Sequence, residues 1–238
     1  MKMFLRRYGF TLVLMGVTAV AMTVAGVAFK QAAIRMIPFY ISLIIGLMQT
    51  RAVRYAPLLG GINSIWYGCI NLYYGLAASA MSCFLFSCPL QLITFWRWQR
   101  HKYGSSTCFR SLSWRWRILV ALGFCAVWAG VFFVLRLIGS SYQLLDNTAT
   151  LVGILVSFLT LFSFIEFAPM QLISAVLSIW LNVAMVRDFP EQMPSLIYSI
   201  YSAICVLLGL FSVMSLYKEQ KAVAFAAAKG EKYENSLG

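Results

Sequence analysis

Long runs of apolar residues dominate this chain, and short polar segments separate them. Each run is about 17–24 residues long, which matches the length that an α-helix needs to cross the hydrocarbon core of a bilayer. The runs are continuous rather than alternating, which favours helices over the strands of a membrane barrel. We predict eight spans: Gly9–Phe29, Ala33–Gln49, Tyr55–Tyr74, Gly75–Trp98, Ile118–Ile138, Asn147–Ile165, Pro169–Val186 and Pro194–Tyr217.

The order of the spans predicts a duplicated architecture. The basic segment Arg97–Arg117 has one helix and a group of three before it, and again one helix and a group of three after it. This layout is typical of repeated three-helix units joined by a linker helix. Seven spans is the alternative, because only a turn near Tyr74-Gly75 separates the third and fourth. The predicted divisions are an extra N-terminal helix (1–32), a first three-helix unit (33–98), a basic loop with the linker helix (99–138), a second three-helix unit (144–217) and a mobile tail (218–238).

The composition supports an all-α membrane protein. The chain is 61% hydrophobic and 11% charged, whereas soluble domains are about 45–50% apolar and about 25% charged. A water-soluble fold of this size could not hide so much apolar surface. In lipid, every backbone polar group must be satisfied internally, and continuous helices achieve this.

The positive charges predict the orientation. Of the 19 Lys and Arg residues, only Lys30, Arg35, Arg136 and Arg187 fall on the side opposite to both termini when eight spans are assumed. Because basic residues concentrate in cytoplasmic segments, we expect both termini in the cytoplasm. The net charge of +12 alone would suggest nucleic acid as a partner, but these residues lie in short segments between spans, so we expect the lipid bilayer and no nucleic acid.

The residues needed for catalysis or metal binding are scarce. The six cysteines include no Cys-x-x-Cys pair, and the single histidine, His101, lies in the basic loop. We interpret the cysteines as small buried apolar residues. We therefore expect no metal, no cofactor and no enzymatic activity.

Polar side chains recur at helical spacing inside several spans. Such residues are costly in lipid unless they face other helices or water. Helix–helix packing explains many of them, but paired amides offer more donors and acceptors than packing needs. We interpret the stripes on spans three and seven as a solute pathway. The candidate contacts are Asn63, Trp66, Tyr67 and Asn71 on span three, Gln91 and Thr94 on span four, Gln171, Ser174 and Ser178 on span seven, and Tyr198 on span eight.

Two carboxylates lie near the membrane interior. Asp146 opens span six, where it either caps the helix or stands at the entrance of the solute path and bonds hydroxyls. Glu166 lies at the turn before Pro169 and is interpreted as a cap or a solvated turn residue. Four tryptophans flank the basic loop, and an aromatic belt at the lipid interface explains them: Trp96, Trp98, Trp114 and Trp116.

Several of these positions resemble one known family. The segment Leu59–Arg100, with Gly61-Ile62-Asn63, Gln91 and Phe95-Trp96-Arg97-Trp98, is similar to the first half of the nicotinamide riboside transporter (PnuC) family. Leu144-Leu145-Asp146-Asn147 followed by Glu166 resembles its second half, and the likeness spans roughly Pro38–Tyr217. The resemblance implies a bacterial inner-membrane homotrimer that moves its solute by facilitated diffusion, with a cytoplasmic kinase trapping the solute by phosphorylation.

One departure from that family bears on the solute. The family carries Trp-x-x-Trp-x-x-x-Asn on its seventh span, where the tryptophans stack on nicotinamide. Here one register places Gln171, Ser174 and Ser178 at those positions, and an ungapped register places Ala168, Gln171 and Ala175. Losing the rings removes about 1–3 kcal/mol of stacking for each. We expect a nucleoside, a deoxynucleoside or a vitamin such as thiamine rather than nicotinamide riboside itself.

Two other function classes remain open at this point. One is a substrate-binding subunit of an ATP-driven vitamin importer, which would copurify with ATPase subunits. The other is an intramembrane enzyme, which the lack of clustered acids disfavours.

Overall fold

Eight α-helices make up most of the computed structural model, which describes residues 2–73, 83–103, 106–138, 143–188 and 190–234. A π-helical segment, Cys83–Ser87, precedes α4, and a 3₁₀ turn, Pro190–Gln192, precedes α8. Strands β1 (Lys102–Tyr103) and β2 (Ser106–Thr107) pair antiparallel. The helices are α1 Lys2–Ala28, α2 Ala33–Gln49, α3 Ala56–Tyr73, α4 Cys88–Arg100, α5 Trp114–Ile138, α6 Gln143–Leu161, α7 Phe167–Asp188 and α8 Met193–Glu234.

The prediction of an all-α membrane protein is therefore confirmed. In the described ranges, four helices are long and apolar enough to cross a bilayer: Gly9–Ala28, Trp114–Phe133, Phe167–Asp188 and Met193–Ala226. Two shorter helices, Met36–Gln49 and Asn147–Leu161, are apolar as well. The predicted turn at Tyr74-Gly75 lies outside the described residues.

Six of the helices form a closed ring. In sequence order α2, α3, α4, α6, α7 and α8 each pack against the next, and α8 packs against α2. The ring is thus built from two consecutive groups, α2–α4 and α6–α8. The last helix of each group contacts the first helix of the other, which leaves a central space bounded by both groups.

The remaining two helices lie outside the ring. Helix α1 packs on α2 and α8, and α5 packs chiefly on α6. The outer side of α1 is apolar, as lipid requires: Val13, Val17, Val20 and Val24 are each more than 60% exposed. On its inner side Met22 is fully buried against Met36 and Tyr201.

One end of the molecule carries most of the basic residues, and we call it the basic end. There α2, α4 and α6 finish, and the segment between α4 and α5 folds against the turn between α6 and α7. Arg110 pairs with Phe164 as an isolated bridge. Trp98, Phe109 and Phe167 form a buried aromatic cluster beneath this segment. The basic loop is therefore a packed part of the fold.

Helix α8 continues to Glu234, past the boundary expected at Tyr217. Just beyond Tyr217 the helix contacts the loop. The Gln220 side-chain amide donates to the Thr107 carbonyl at 2.9 Å, and its oxygen accepts the Phe109 N–H at 2.9 Å. These bonds fix the turn of helix just beyond the apolar run. The expected mobility of the tail stays a prediction.

Candidate functional site

A cavity of about 210 Å³ lies inside the six-helix ring, towards the basic end. Every ring helix contributes to its wall, so residues from both groups meet across it. Its polar lining residues are Gln49 from α2, Gln91 and Thr94 from α4, Ser157 and Thr160 from α6, and Gln171 from α7. Trp98 and Phe167 add aromatic surface, and Val206, Leu210 and Val213 of α8 add an apolar wall.

The Gln91 amide is tied to the protein on one side of the cavity. Its Nε2 donates to the hydroxyls of Ser64 at 3.2 Å and Ser87 at 3.3 Å, and these two hydroxyls lie 2.7 Å apart. Gly60 makes room for the amide, because a Cβ at that position would lie 1.6 Å from Gln91 Oε1. Gln91 is therefore a positioned wall residue whose N–H groups are already in use.

Two other amides on the cavity wall are free. Among the residues that the structure describes, the side chains of Gln49 and Gln171 have no hydrogen-bond partner in the protein. Both are partly exposed to the cavity. Each amide presents two donors and one acceptor oxygen. The hydroxyls of Ser157 and Thr160 donate to the Gly153 and Val156 carbonyls of their own helix, so their oxygens can still accept.

Trp98 closes the basic end of the cavity. Its indole N–H donates to the Thr160 carbonyl at 3.0 Å, which joins α4 to α6 across the two groups. Its ring meets Phe109 edge-on at 6.2 Å, and Phe109 lies 5.9 Å from Phe167. At 4% exposure Trp98 is buried, so the belt interpretation is wrong for this residue. Trp96, Trp114 and Trp116 are 57–73% exposed, as a belt requires.

Asn63, Tyr67 and Tyr198 come together in a second polar cluster between α2, α3 and α8. The Asn63 amide donates to Ser42 Oγ at 2.8 Å and to the Pro38 carbonyl at 3.2 Å. The hydroxyls of Tyr67 and Tyr198 both face Ser42. These three predicted site residues do not line the central cavity. Asn63 Oδ1 is buried without a partner among the described residues, so the cluster retains one unused acceptor.

Ser174 and Ser178 lie on α7 away from the cavity lining. The Ser178 hydroxyl donates to the Ser174 carbonyl at 2.8 Å, and Ser174 Oγ lies 4.0 Å from the position of a Cβ on Gly153. Further along α7, Asn182 bonds Ser195 and Ser199 of α8 at 2.8 Å. Here the packing explanation of the polar stripe fits, since these bonds join α7 to α8.

Of the three remaining predicted residues, Trp66 lines none of the described cavities. Trp66 is 41% exposed on the side of α3. Asn71 lies in α3, and its side chain falls outside the described part. Asp146 lies within α6, which begins at Gln143, so it does not precede the helix as a cap would. Its side chain also falls outside the described part.

Glu166 forms an ion pair with Arg117. The interpretation of Glu166 as a cap or a solvated turn residue did not include this partner. Its Oε1 accepts from Arg117 at 2.7 Å and from the Leu112 backbone N–H at 3.0 Å. The carboxylate thus holds the start of α5 and the preceding loop to the α6–α7 turn. On β1, desolvation and the hydrogen bond to Glu219 raise the pKa of Tyr103. In the described ranges, no group of three His, Cys, Asp or Glu could hold a metal ion.

Five residues line the cavity although they were not among the predicted contacts: Gln49, Ser157, Thr160, Trp98 and Phe167. A sequence signal existed for two of them. Ser157 and Thr160 are three residues apart and therefore share a helix face, as did the stripes that were chosen. Gln49 ends a span and Trp98 adjoins a basic segment, so both fit an interface role from sequence alone.

Comparisons with known proteins agree with this architecture. Residues 32–218 match the sequence model of a family described as nicotinamide mononucleotide transporter, and this match leaves all of α1 outside. The fold is similar to a solved structure described as the crystal structure of the vitamin B3 transporter PnuC, with a TM-score of 0.72 and 17% identity. That likeness covers 89% of this chain and 93% of the other. A search of curated proteins finds no match.

Proposed function

Because this chain belongs to the nicotinamide mononucleotide transporter family, we propose that it carries a nucleoside-like or vitamin solute across a bacterial inner membrane by facilitated diffusion. The family is one of membrane transporters. The solute, the passive mode of transport and the cellular membrane are parts of the proposal.

The single observation that carries the proposal is the pair of free amides facing aromatic surface. Gln49 and Gln171 belong to different groups of the ring, and both amides face the central cavity. Trp98 and Phe167 border the same space. A flat heterocycle bearing hydroxyls suits this lining, because stacking and a few directed hydrogen bonds would hold it.

The solute class follows from where the aromatic residues lie. On α7 the cavity is bordered by Phe167, Ala168 and Gln171 and not by Ser174 or Ser178, which favours the ungapped register through Ala168 and Gln171. The family's tryptophan positions are then an alanine and a glutamine. Aromatic surface comes instead from Trp98 on α4 and Phe167 at the start of α7. We therefore propose a nucleoside or deoxynucleoside, with thiamine or another vitamin as the alternative.

The proposed mechanism is alternating access between α2–α4 and α6–α8. The Trp98 contact to Thr160 joins the two groups at the basic end, so parting these helices would open the cavity to that side. The basic residues gathered there make this end the cytoplasmic one. Both termini would then be cytoplasmic, each subunit of a homotrimer would carry its own path, and a cytoplasmic kinase would trap the solute as its phosphate.

Uptake by proteoliposomes tests the proposal. Purified protein would be reconstituted and offered radiolabelled nucleosides, deoxynucleosides, thiamine and nicotinamide riboside, one at a time and without ATP or an ion gradient. Gln171→Leu and Gln49→Leu each remove one hydrogen-bonding group worth about 0.5–1.5 kcal/mol. We expect KM to rise roughly 2- to 10-fold in each variant.

Gln99→Leu is the matched control, because it makes the same substitution at a glutamine of α4 that lines none of the described cavities. It should leave uptake unchanged. Equal uptake by wild type, Gln171→Leu and Gln49→Leu would contradict the assignment of the cavity as the solute site. Strong uptake of nicotinamide riboside with none of nucleosides or thiamine would contradict the proposed solute class.

A further inference from the structure

Two apolar grooves adjoin one another on the outside of the ring, where α5 stands against α6, α7 and α8. Their volumes are about 780 Å³ and about 650 Å³, each larger than the central cavity. Both are lined by Leu112, Val120, Leu155 and Leu159, so they share a wall. The larger continues along Phe124 and Ile173, and the smaller along Trp116, Phe158 and Phe162.

The grooves exist because α5 is held to the ring at separated points. Away from the basic end, the Trp128 indole N–H donates to Thr148 Oγ1 at 2.9 Å, and the Asn147 amide donates to the Trp128 carbonyl at 3.0 Å. At the basic end Arg117 bonds Glu166. The apolar side chains between these points face open space that a surrounding bilayer must fill.

The basic end of the larger groove carries an excess of positive charge. Arg117 and Lys221 line it there, against a single carboxylate, Glu166. Glu166 takes only the Nε and one terminal nitrogen of Arg117, which leaves the other side of the guanidinium available. Lys221 is exposed and lies 4.9 Å from the Tyr217 ring. Basic groups beside the surface of a bilayer attract anionic lipid headgroups.

We propose that these grooves hold one diacyl phospholipid with an anionic headgroup, one acyl chain in each groove and the phosphate between Arg117 and Lys221. Charge complementarity selects the headgroup, because two cations face one carboxylate. The shared wall at Leu112 and Val120 selects a lipid with two chains on one glycerol. A bound lipid would brace α5 against α6, where the protein itself makes few polar contacts.

The retention of lipid by the purified protein tests whether the grooves bind an anionic phospholipid. Purified full-length protein would be exchanged into mixed micelles with equal phosphatidylglycerol and phosphatidylcholine, and native mass spectrometry would count the lipids that remain bound. We expect one phosphatidylglycerol per chain, and Lys221→Gln should lower its apparent affinity roughly fivefold. Cys125→Trp, which fills the larger groove and leaves every charge in place, should also reduce retention.

Arg187→Gln is the matched control, because it removes one exposed positive charge from the opposite end of α7. It should retain lipid as the wild type does. Equal retention of phosphatidylcholine, or undiminished retention by both Lys221→Gln and Cys125→Trp, would overturn the proposal. Displacement of the lipid by inorganic phosphate alone, or occupation of the grooves by a second copy of the chain, would overturn it as well. These measurements need no transport, so a negative result for lipid binding can be distinguished from a negative result for transport of the proposed solute.

Discussion

Replacing Gly60 with alanine is a sharp test of how the cavity wall is built. Gly60 lies on α3 directly beneath the Gln91 amide. A Cβ there would stand 1.6 Å from Gln91 Oε1 and 2.8 Å from its Cδ, so the two side chains cannot coexist as they are. The flexible Gln91 side chain would move rather than the backbone of either helix. We expect the variant to fold, with the Gln91 side chain in a different position on the cavity wall.

The size of the effect follows from the bonds that Gln91 loses. Its donations to Ser64 and Ser87 are long, at 3.2 and 3.3 Å. Each neutral bond contributes about 0.5–1.5 kcal/mol. The two hydroxyls keep each other as partners at 2.7 Å, which limits the combined loss to about 1 kcal/mol. That loss lowers the free energy of unfolding. The displaced amide also enters a cavity of about 210 Å³, and a loss of about 1 kcal/mol in solute binding would raise KM for uptake roughly fivefold.

The assay is concentration-dependent uptake by proteoliposomes, together with thermal unfolding in detergent. Gly123→Ala serves as the control, because a Cβ at Gly123 would meet nothing within 4 Å. Gly60→Ala combined with Gln91→Ala should transport no worse than Gln91→Ala alone, since the clash is then gone. Wild-type KM in Gly60→Ala, or fully additive losses in the double variant, would refute the reasoning.

Two further substitutions test the basic end. Trp98→Phe removes the indole donor, and the Thr160 carbonyl keeps the Ser163 N–H as a partner, so we expect a loss of about 0.5–1.5 kcal/mol. Thermal unfolding should begin at a lower temperature, whereas Trp114→Phe on the exposed belt should change nothing, and equal unfolding curves would contradict the bond's role. Glu166→Gln removes the ion pair with Arg117, and because Arg117 is about half exposed we expect a loss of only about 0.2–1 kcal/mol. That loss should shrink at high salt, and a loss that is independent of salt would argue against an ionic origin.

Much of the fold could be predicted because lipid imposes simple rules on a helix. The predicted span Ala33–Gln49 has the same bounds as α2, since a basic residue and a polar turn mark where the apolar run must stop. Helix α8 continues past the predicted span, and Gln220 bonds the loop just beyond Tyr217. Such a contact depends on distant residues and leaves no periodic signal in its own segment.

The site was less predictable, because periodicity identifies a polar face but not the neighbour it meets. Gln171 and Asn182 belong to one stripe of α7, yet the first borders the cavity and the second bonds α8. Trp96 and Trp98 are two residues apart with the same composition around them, and only Trp98 is buried. Which side of a helix faces the ring depends on how six helices close, and that is a property of the whole chain.

The most direct test of the central claim asks whether the solute occupies the space between the two groups of helices. Ser157, which borders the cavity and is small, would be replaced by cysteine after the six natural cysteines are changed to serine or alanine. Modification of Cys at this position with a methanethiosulfonate reagent should abolish uptake, and saturating solute should slow the modification. Complete labelling with undiminished uptake, or labelling that the solute does not slow, would contradict a transport path through this cavity.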